Sequence, residues 1–267
     1  MSHYIINILS VSLYLVTAIL LATRLAKTSK GQTQPKTSIL ILGLSAVILH
    51  SSLLYNQIIG PEGINLGIFN ALSLISGLMA LLLLVASFTK PVENLGIALL
   101  PLAAINIMLE ISFPSSHIIS GSWQLQAHIL ISIIAYSLLS IAMVQAILLA
   151  IQDQHLRNRK PGGFIQALPP LKTMESLLFQ MIGIGFILLT IGLIIGTLFI
   201  EDIFAEHLAH KTILSIIAWV LFAILLWGRI KFGWRGRTAI RWTLGGFFTL
   251  MLAYFGSKFV LELILGR

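Results

Sequence analysis

Cysteine is absent from all 267 residues, and that absence removes several chemistries at once. No disulfide can form, no thiolate can hold a metal, and the CxxCH signature of covalently attached haem is missing, so the chain is not itself a c-type cytochrome. Charge is scarce as well: Asp, Glu, Lys and Arg make up 10% of the sequence against 57% hydrophobic residues. Too few polar groups remain to cover a soluble globule, and a mean hydropathy of +0.98 marks an integral membrane protein. Paired carboxylates in a cleft, a phosphate-binding loop, a serine-nucleophile context and an HExxH zinc motif are all missing, so nothing supports an enzyme. The net charge of +8 is no argument for nucleic acid, because basic residues in a membrane protein first report its topology.

What the chain has instead is long apolar runs. A bilayer core about 30 Å thick takes roughly 20 apolar residues per helical span, and the backbone there must bond to itself, so these runs predict helices. Eight can be read: 4–23, 37–57, 66–88, 93–113, 124–151, 175–200, 211–228 and 240–264. Fourteen of the 17 basic residues fall in the connections after the first, third, fifth and seventh runs. The alternate connections and termini hold Lys211, Lys258 and Arg267, with Glu62, Glu110, Glu201, Asp202, Glu206 and Glu262 toward that side. The positive-inside bias therefore predicts an all-α, polytopic transmembrane bundle of about eight helices with both termini outside, that is, periplasmic. MSHYIIN has no basic leader, so the first run is expected to be a retained span. No connection is long enough for a soluble domain, and residues 1–267 are expected to form a single integral-membrane domain. The cluster in DQHLRNRKPGG reads as a cytoplasmic cap on the fifth helix, which at about 29 residues and 1.5 Å each is about 43 Å long.

The histidines are the candidate chemistry. His155 is predicted on the cytoplasmic side; His3, His117, His128, His207 and His210 lie at or beyond the outer interface, and His50 in the outer half of the second run. Histidine inside a membrane is costly and faces a bundle interior or cavity. Axial ligation of haem iron would use such residues, with neutral imidazoles in an apolar, aromatic pocket. His128 follows the interfacial anchor Trp123 by five residues and precedes Tyr136 by eight, and is the leading candidate. His50 is equally readable as a core histidine bonded to a backbone carbonyl or Ser51. His207 and His210, beside Glu201, Asp202 and Glu206, are equally readable as a solvated loop or a weak cation site. Gly192 and Gly196, four apart in the sixth run, offer a small-residue surface whose simplest use is close helix packing. Trp227 and Trp234 with their basic neighbours read as an aromatic belt at the inner interface.

Several stretches taken together resemble a known family. The fifth helix with Trp123, His128 and Tyr136, then MESLLFQMIGIGFILLTIGLIIG, LSIIAWVLFAILLWGRIKFGWRGRTAI and LMLAYFG, are similar to the CcsA-like cytochrome c assembly proteins, a haem-handling superfamily that includes the CcmC type. The resemblance is strongest over 120–267; GINLGIFNALSLIS resembles the family's third-helix entry. Size and helix count resemble the short branch of HemX-like proteins and other bacterial inner-membrane relatives. The resemblance implies haem b as cofactor, held near the outer surface between the second, fifth and seventh helices. His128 is the exporter ligand position that carries over; His50 corresponds to a second-helix histidine, and His207 or His210 stands in for a missing partner. The chain departs from the exporters where their tryptophan-rich outer segment would lie, since EDIFAEHLAHK has no tryptophan. Their inner histidine on the seventh helix is Trp227 here, and their last outer histidine has no counterpart.

Three functions follow as expectations. One is an inner-membrane protein, surrounded by the lipid bilayer and working with a membrane-protein partner, that binds or relays haem through His128 and a second outer histidine. The alternative is a haem-free accessory or regulatory subunit that stabilises a partner. The third is a transporter using Glu201, Asp202, Glu206 and the outer histidines as an entry.

Overall fold

The computed structural model describes residues 2–28, 35–60, 63–114, 118–119, 122–158, 163–199 and 206–256. Among them are eight α-helices: α1 (Ser2–Thr28), α2 (Thr37–Ile58), α3 (Ile68–Ser87), α4 (Gly96–Ser112), α5 (Trp123–Arg157), α6 (Leu171–Phe199), α7 (Glu206–Phe232) and α8 (Gly236–Met251). Seven of these, all but α8, are long and apolar enough to cross a membrane. Ile8, Ile187, Ile216 and Ile230 leave their side chains exposed on helix faces, an arrangement that lipid satisfies and water does not.

The chain forms two compact units: residues 1–120 with 159–169, and residues 121–158 with 170–267. In the first, α1 packs on α2 and α4, and α3 closes against both of those helices. Its core is built from small and branched side chains, including Ala46, Val47, Ala80, Leu84, Ala103 and Ile107, around the fully buried Tyr14. Small residues allow this closeness: a Cβ on Gly43 would lie 2.9 Å from Leu84. At one end of the unit, Glu93 receives Arg24 at 3.0 Å and Lys36 at 3.7 Å.

The opposite end of this unit holds a feature that the apolar periodicity does not announce. Three short strands, β1 (Ile59–Gly60), β2 (Gly63–Asn65) and β3 (Ile118–Ile119), pair antiparallel in that order. Gly63 has φ 142°, a conformation that a side chain resists, so the turn into β2 requires glycine.

In the second unit α5 packs along α6, α8 lies on α5, and α7 bridges α6 and α8. Gly185 admits Leu139 and Gly246 admits the ring of the buried Phe222. The fifth helix is longer than its apolar run: its 35 residues continue through QDQHLR to Arg157, giving about 52 Å at 1.5 Å per residue. Charge stabilises this extension, because Arg157 pairs with Asp153 one turn back at 2.9 Å, and Arg237 reaches the same carboxylate at 3.6 Å. The eighth run is shifted the other way. Its α-helix begins at Gly236, ends at Met251, and opens into a wider π-type turn over Leu252–Gly256; residues 257–264 lie outside the described residues.

The basic stretch WGRIKFGWRGR is more firmly held than an aromatic belt requires. Arg229 and Arg235 both bond Glu175 Oε1, at 2.7 and 3.2 Å, and Arg229 lies 4.6 Å from the Phe179 ring centre. Trp234 stacks between Phe232 and Trp242, and a Cβ on Gly228 would collide with its ring. Trp227, by contrast, is exposed.

Candidate functional site

His128 lies in the second turn of α5, five residues after Trp123, which opens the helix and is 72% exposed. Its Nδ1 is 2.8 Å from the carbonyl oxygen of Gly192 on α6. A carbonyl only accepts, so Nδ1 carries the proton and donates it, and Nε2 keeps its lone pair. Among the described residues Nε2 has no hydrogen-bond partner, and the ring is half-buried. Gly196, one turn along α6, has the tighter fit: a Cβ there would stand 3.0 Å from Cε1 and 3.3 Å from Nδ1. The two glycines that read as a packing surface thus have distinct tasks. Gly192 supplies a backbone acceptor, and Gly196 leaves room for the ring it orients.

The geometry around His50 is of another kind. The side chain is 1% exposed and both nitrogens are engaged, Nδ1 with the Tyr14 hydroxyl at 3.1 Å and Nε2 with Ser73 Oγ at 2.9 Å. Tyr14 is completely buried and His50 is its one polar partner among the described residues, so its O–H must donate to Nδ1. The proton of the imidazole then resides on Nε2 and is donated to Ser73. Ser73 Oγ accepts that proton, and the carboxyl of Glu110 lies beside it. Neither ring nitrogen retains a lone pair for a metal. Gly77 confines the ring further, since a Cβ would lie 3.0 Å from both Cε1 and Nδ1. The partner foreseen for His50 was a carbonyl or Ser51; the observed partners come from α1 and α3, which sequence proximity does not reveal.

His210 is exposed on the first turns of α7, with no hydrogen-bond partner among the described residues. The side chains of His3, Glu206 and His207 lie outside the described residues, as do His117, Glu201 and Asp202 altogether. Tyr136 is buried in the second unit among Phe247, Tyr254 and Phe255, with ring centres 5.4, 6.3 and 5.5 Å away. It makes an aromatic cluster with the end of α8 and the π-type turn.

Sequence reasoning missed Tyr14 and Ser73 as the partners of His50, and the buried Glu110 beside Ser73. A signal existed for Glu110: it stands in the apolar run LPLAAINIMLEIS, and an ionisable group inside a span is expensive unless it has a task.

The seven membrane-crossing helices, with His128 oriented by a backbone carbonyl between two of them, define a polytopic helical membrane protein. The family model described as "Cytochrome C assembly protein" matches residues 38–265, and the chain belongs to that family. It is 34% identical over 233 residues to "Inner membrane protein YpjD" of Escherichia coli K12, which covers 84% of this chain and 87% of the relative. It is also 31% identical over 93 residues to "Cytochrome c biogenesis protein CcsA" of Gloeobacter violaceus, covering 34% of this chain and 28% of that protein. The protein of the same name from Chlamydomonas reinhardtii is 28% identical over 148 residues, 54% of this chain and 40% of the relative. The chain is a multi-pass protein of the bacterial inner membrane.

Proposed function

We propose that this protein serves cytochrome c assembly by binding or relaying haem, with His128 as axial ligand. The observation that supports this is the bond from His128 Nδ1 to the Gly192 carbonyl at 2.8 Å. Histidines that bind metal characteristically donate the other ring nitrogen to a carbonyl or carboxylate, which fixes the tautomer and makes the coordinating nitrogen a better donor. The donor set fits haem: an imidazole whose Nδ1 is engaged and whose Nε2 is available, set between two helices beside Gly192 and Gly196. Bound haem would supply an iron centre that accepts this nitrogen. The side chains themselves orient and release a cargo; they make no covalent bond. His210, exposed on α7, is the described histidine on the side predicted to be outer, besides His128, with a nitrogen open for a second ligand. Both termini and the α5 start face the periplasm in this reading, and a membrane-protein partner takes the cargo on.

A second reading, a haem-free accessory subunit, is favoured by one observation: His50 has no lone pair to offer while Tyr14 and Ser73 hold it. An absorption spectrum of purified protein after incubation with haemin separates the two. The haem reading expects a Soret band that is lost in His128→Ala and retained in His50→Ala. A wild-type protein that stays haem-free under these conditions establishes the accessory reading instead.

A further inference from the structure

The first unit contains a cavity of about 370 Å³, lined by Tyr4, Asn7, Gln57, Asn65, Asn70 and Glu110 among others. It lies where α1 begins, α2 ends, α3 begins and α4 ends, so it opens at one end of the helices and not at their lipid-facing middle. Tyr4 and Gln57 are exposed at its rim, whereas Asn7, Asn70 and Glu110 are 7, 5 and 5% exposed and form its floor. Four carboxamides, a phenol and a carboxyl are unusual furniture for a span end, and none of them is basic.

Glu110 is the singular member. The other carboxylates whose side chains are described each have a cationic partner: Glu93 has Arg24 and Lys36, Asp153 has Arg157 and Arg237, and Glu175 has Arg229 and Arg235. Glu110 has none among the described residues, and its Oε1 is buried without any hydrogen-bond partner. The chain Tyr14, His50, Ser73 runs up to this carboxyl. Tyr14 can satisfy its O–H only by donating to His50, and His50 then donates to Ser73, so this chain brings no cation to the neighbouring Glu110. The floor thus holds a buried carboxyl with one unsatisfied oxygen, which a ligand bringing both N–H donors and positive charge would satisfy and hold ionised.

We propose that this cavity binds a small organic ammonium ion, with Glu110 as counter-ion and the carboxamides of Asn7, Asn70 and Gln57 as hydrogen-bond partners. The volume decides against a bare inorganic cation, since about 30 Å³ suffices for one water in the liquid and this space holds a solute of several heavy atoms. An amine presents up to three N–H donors, which the carboxylate and amide oxygens can accept. The Tyr14–His50–Ser73 chain stands behind the carboxyl as positioning support and does not line the cavity. His50 then has a task independent of any iron.

The test uses the full-length protein in detergent, with thermal unfolding followed as n-butylammonium chloride is added at constant ionic strength. Saturable stabilisation is expected, absent with the neutral isostere 1-butanol. In Glu110→Gln the half-saturating concentration should rise at least tenfold. Should that variant fail to fold, Asn7→Leu, which fills the floor and leaves the carboxyl in place, should abolish the stabilisation. Equal effects of butanol and butylammonium would overturn the proposal, as would an unresponsive wild type or full displacement by an equal concentration of sodium. A response unchanged in the folded variants would overturn it as well.

Discussion

At the scale of single residues, two histidines of similar setting have been given opposite availability by their neighbours. His128 donates one nitrogen to a backbone carbonyl and keeps the other open; His50 is tied at both. The distinction could not be read from the sequence, because Gly192 is 64 positions from His128 and Tyr14 is 36 from His50. Sequence gave good reason to single out both residues, through the cost of a membrane-embedded imidazole, but not to rank them. Gly196 makes a sharp probe. A methyl at this position meets the imidazole at 3.0 Å, so Gly196→Ala must push the ring off the Gly192 carbonyl or spread the helices. A haemin titration read by absorbance should show affinity reduced about tenfold, or about 1.4 kcal/mol. Gly183→Ala, on the same helix with nothing within 4 Å of the added carbon, should leave it unchanged and stabilise the helix by up to about 1 kcal/mol.

At the scale of elements, the apolar runs located the helices because hydrocarbon imposes one solution on the backbone, and the seven longest helices follow them closely. The runs failed at helix ends, where charge replaces hydropathy. Helix α5 passes beyond Ile151 to Arg157 on the strength of an Asp153–Arg157 pair, and the sheet of β1 to β3 is made of segments too short to show alternation. Glu175 is the strongest such polar tie, since it joins the start of α6 to the end of α7 and to Arg235 just ahead of α8. Its side chain is 11% exposed, between the regimes of surface pairs and fully buried ones. Glu175→Gln should therefore destabilise by about 2 kcal/mol, more than a surface pair contributes and less than a broken buried one. Thermal unfolding in detergent would register it, with Asp153→Asn, whose two arginines are more than half exposed, losing less than about 1 kcal/mol.

For the molecule as a whole, the asymmetry of lysine and arginine is the boldest reading in the sequence, and the lack of cysteine makes it simple to check. Any cysteine introduced is the one thiol in the chain. Ser122→Cys, at the start of α5, should react with a membrane-impermeant maleimide once the outer membrane is made leaky. Asn158→Cys, just past the other end of the same helix, should react only after the inner membrane is broken. Labelling in the reverse order would invert the topology and move His128 to the cytoplasmic side. Helix α5 itself has a mechanical consequence. From His128 to Asp153 it is an uninterrupted rod of about 38 Å, held at the far end by Arg237. A rod of that stiffness can tilt or slide but can hardly bend. A tilt of only about 5° about the Asp153 end carries the imidazole sideways by about 3 Å, about the length of the bond that orients it. The ring's grip on Gly192 is thus geared to the charged end of its own helix, and a load applied there is felt at the nitrogen.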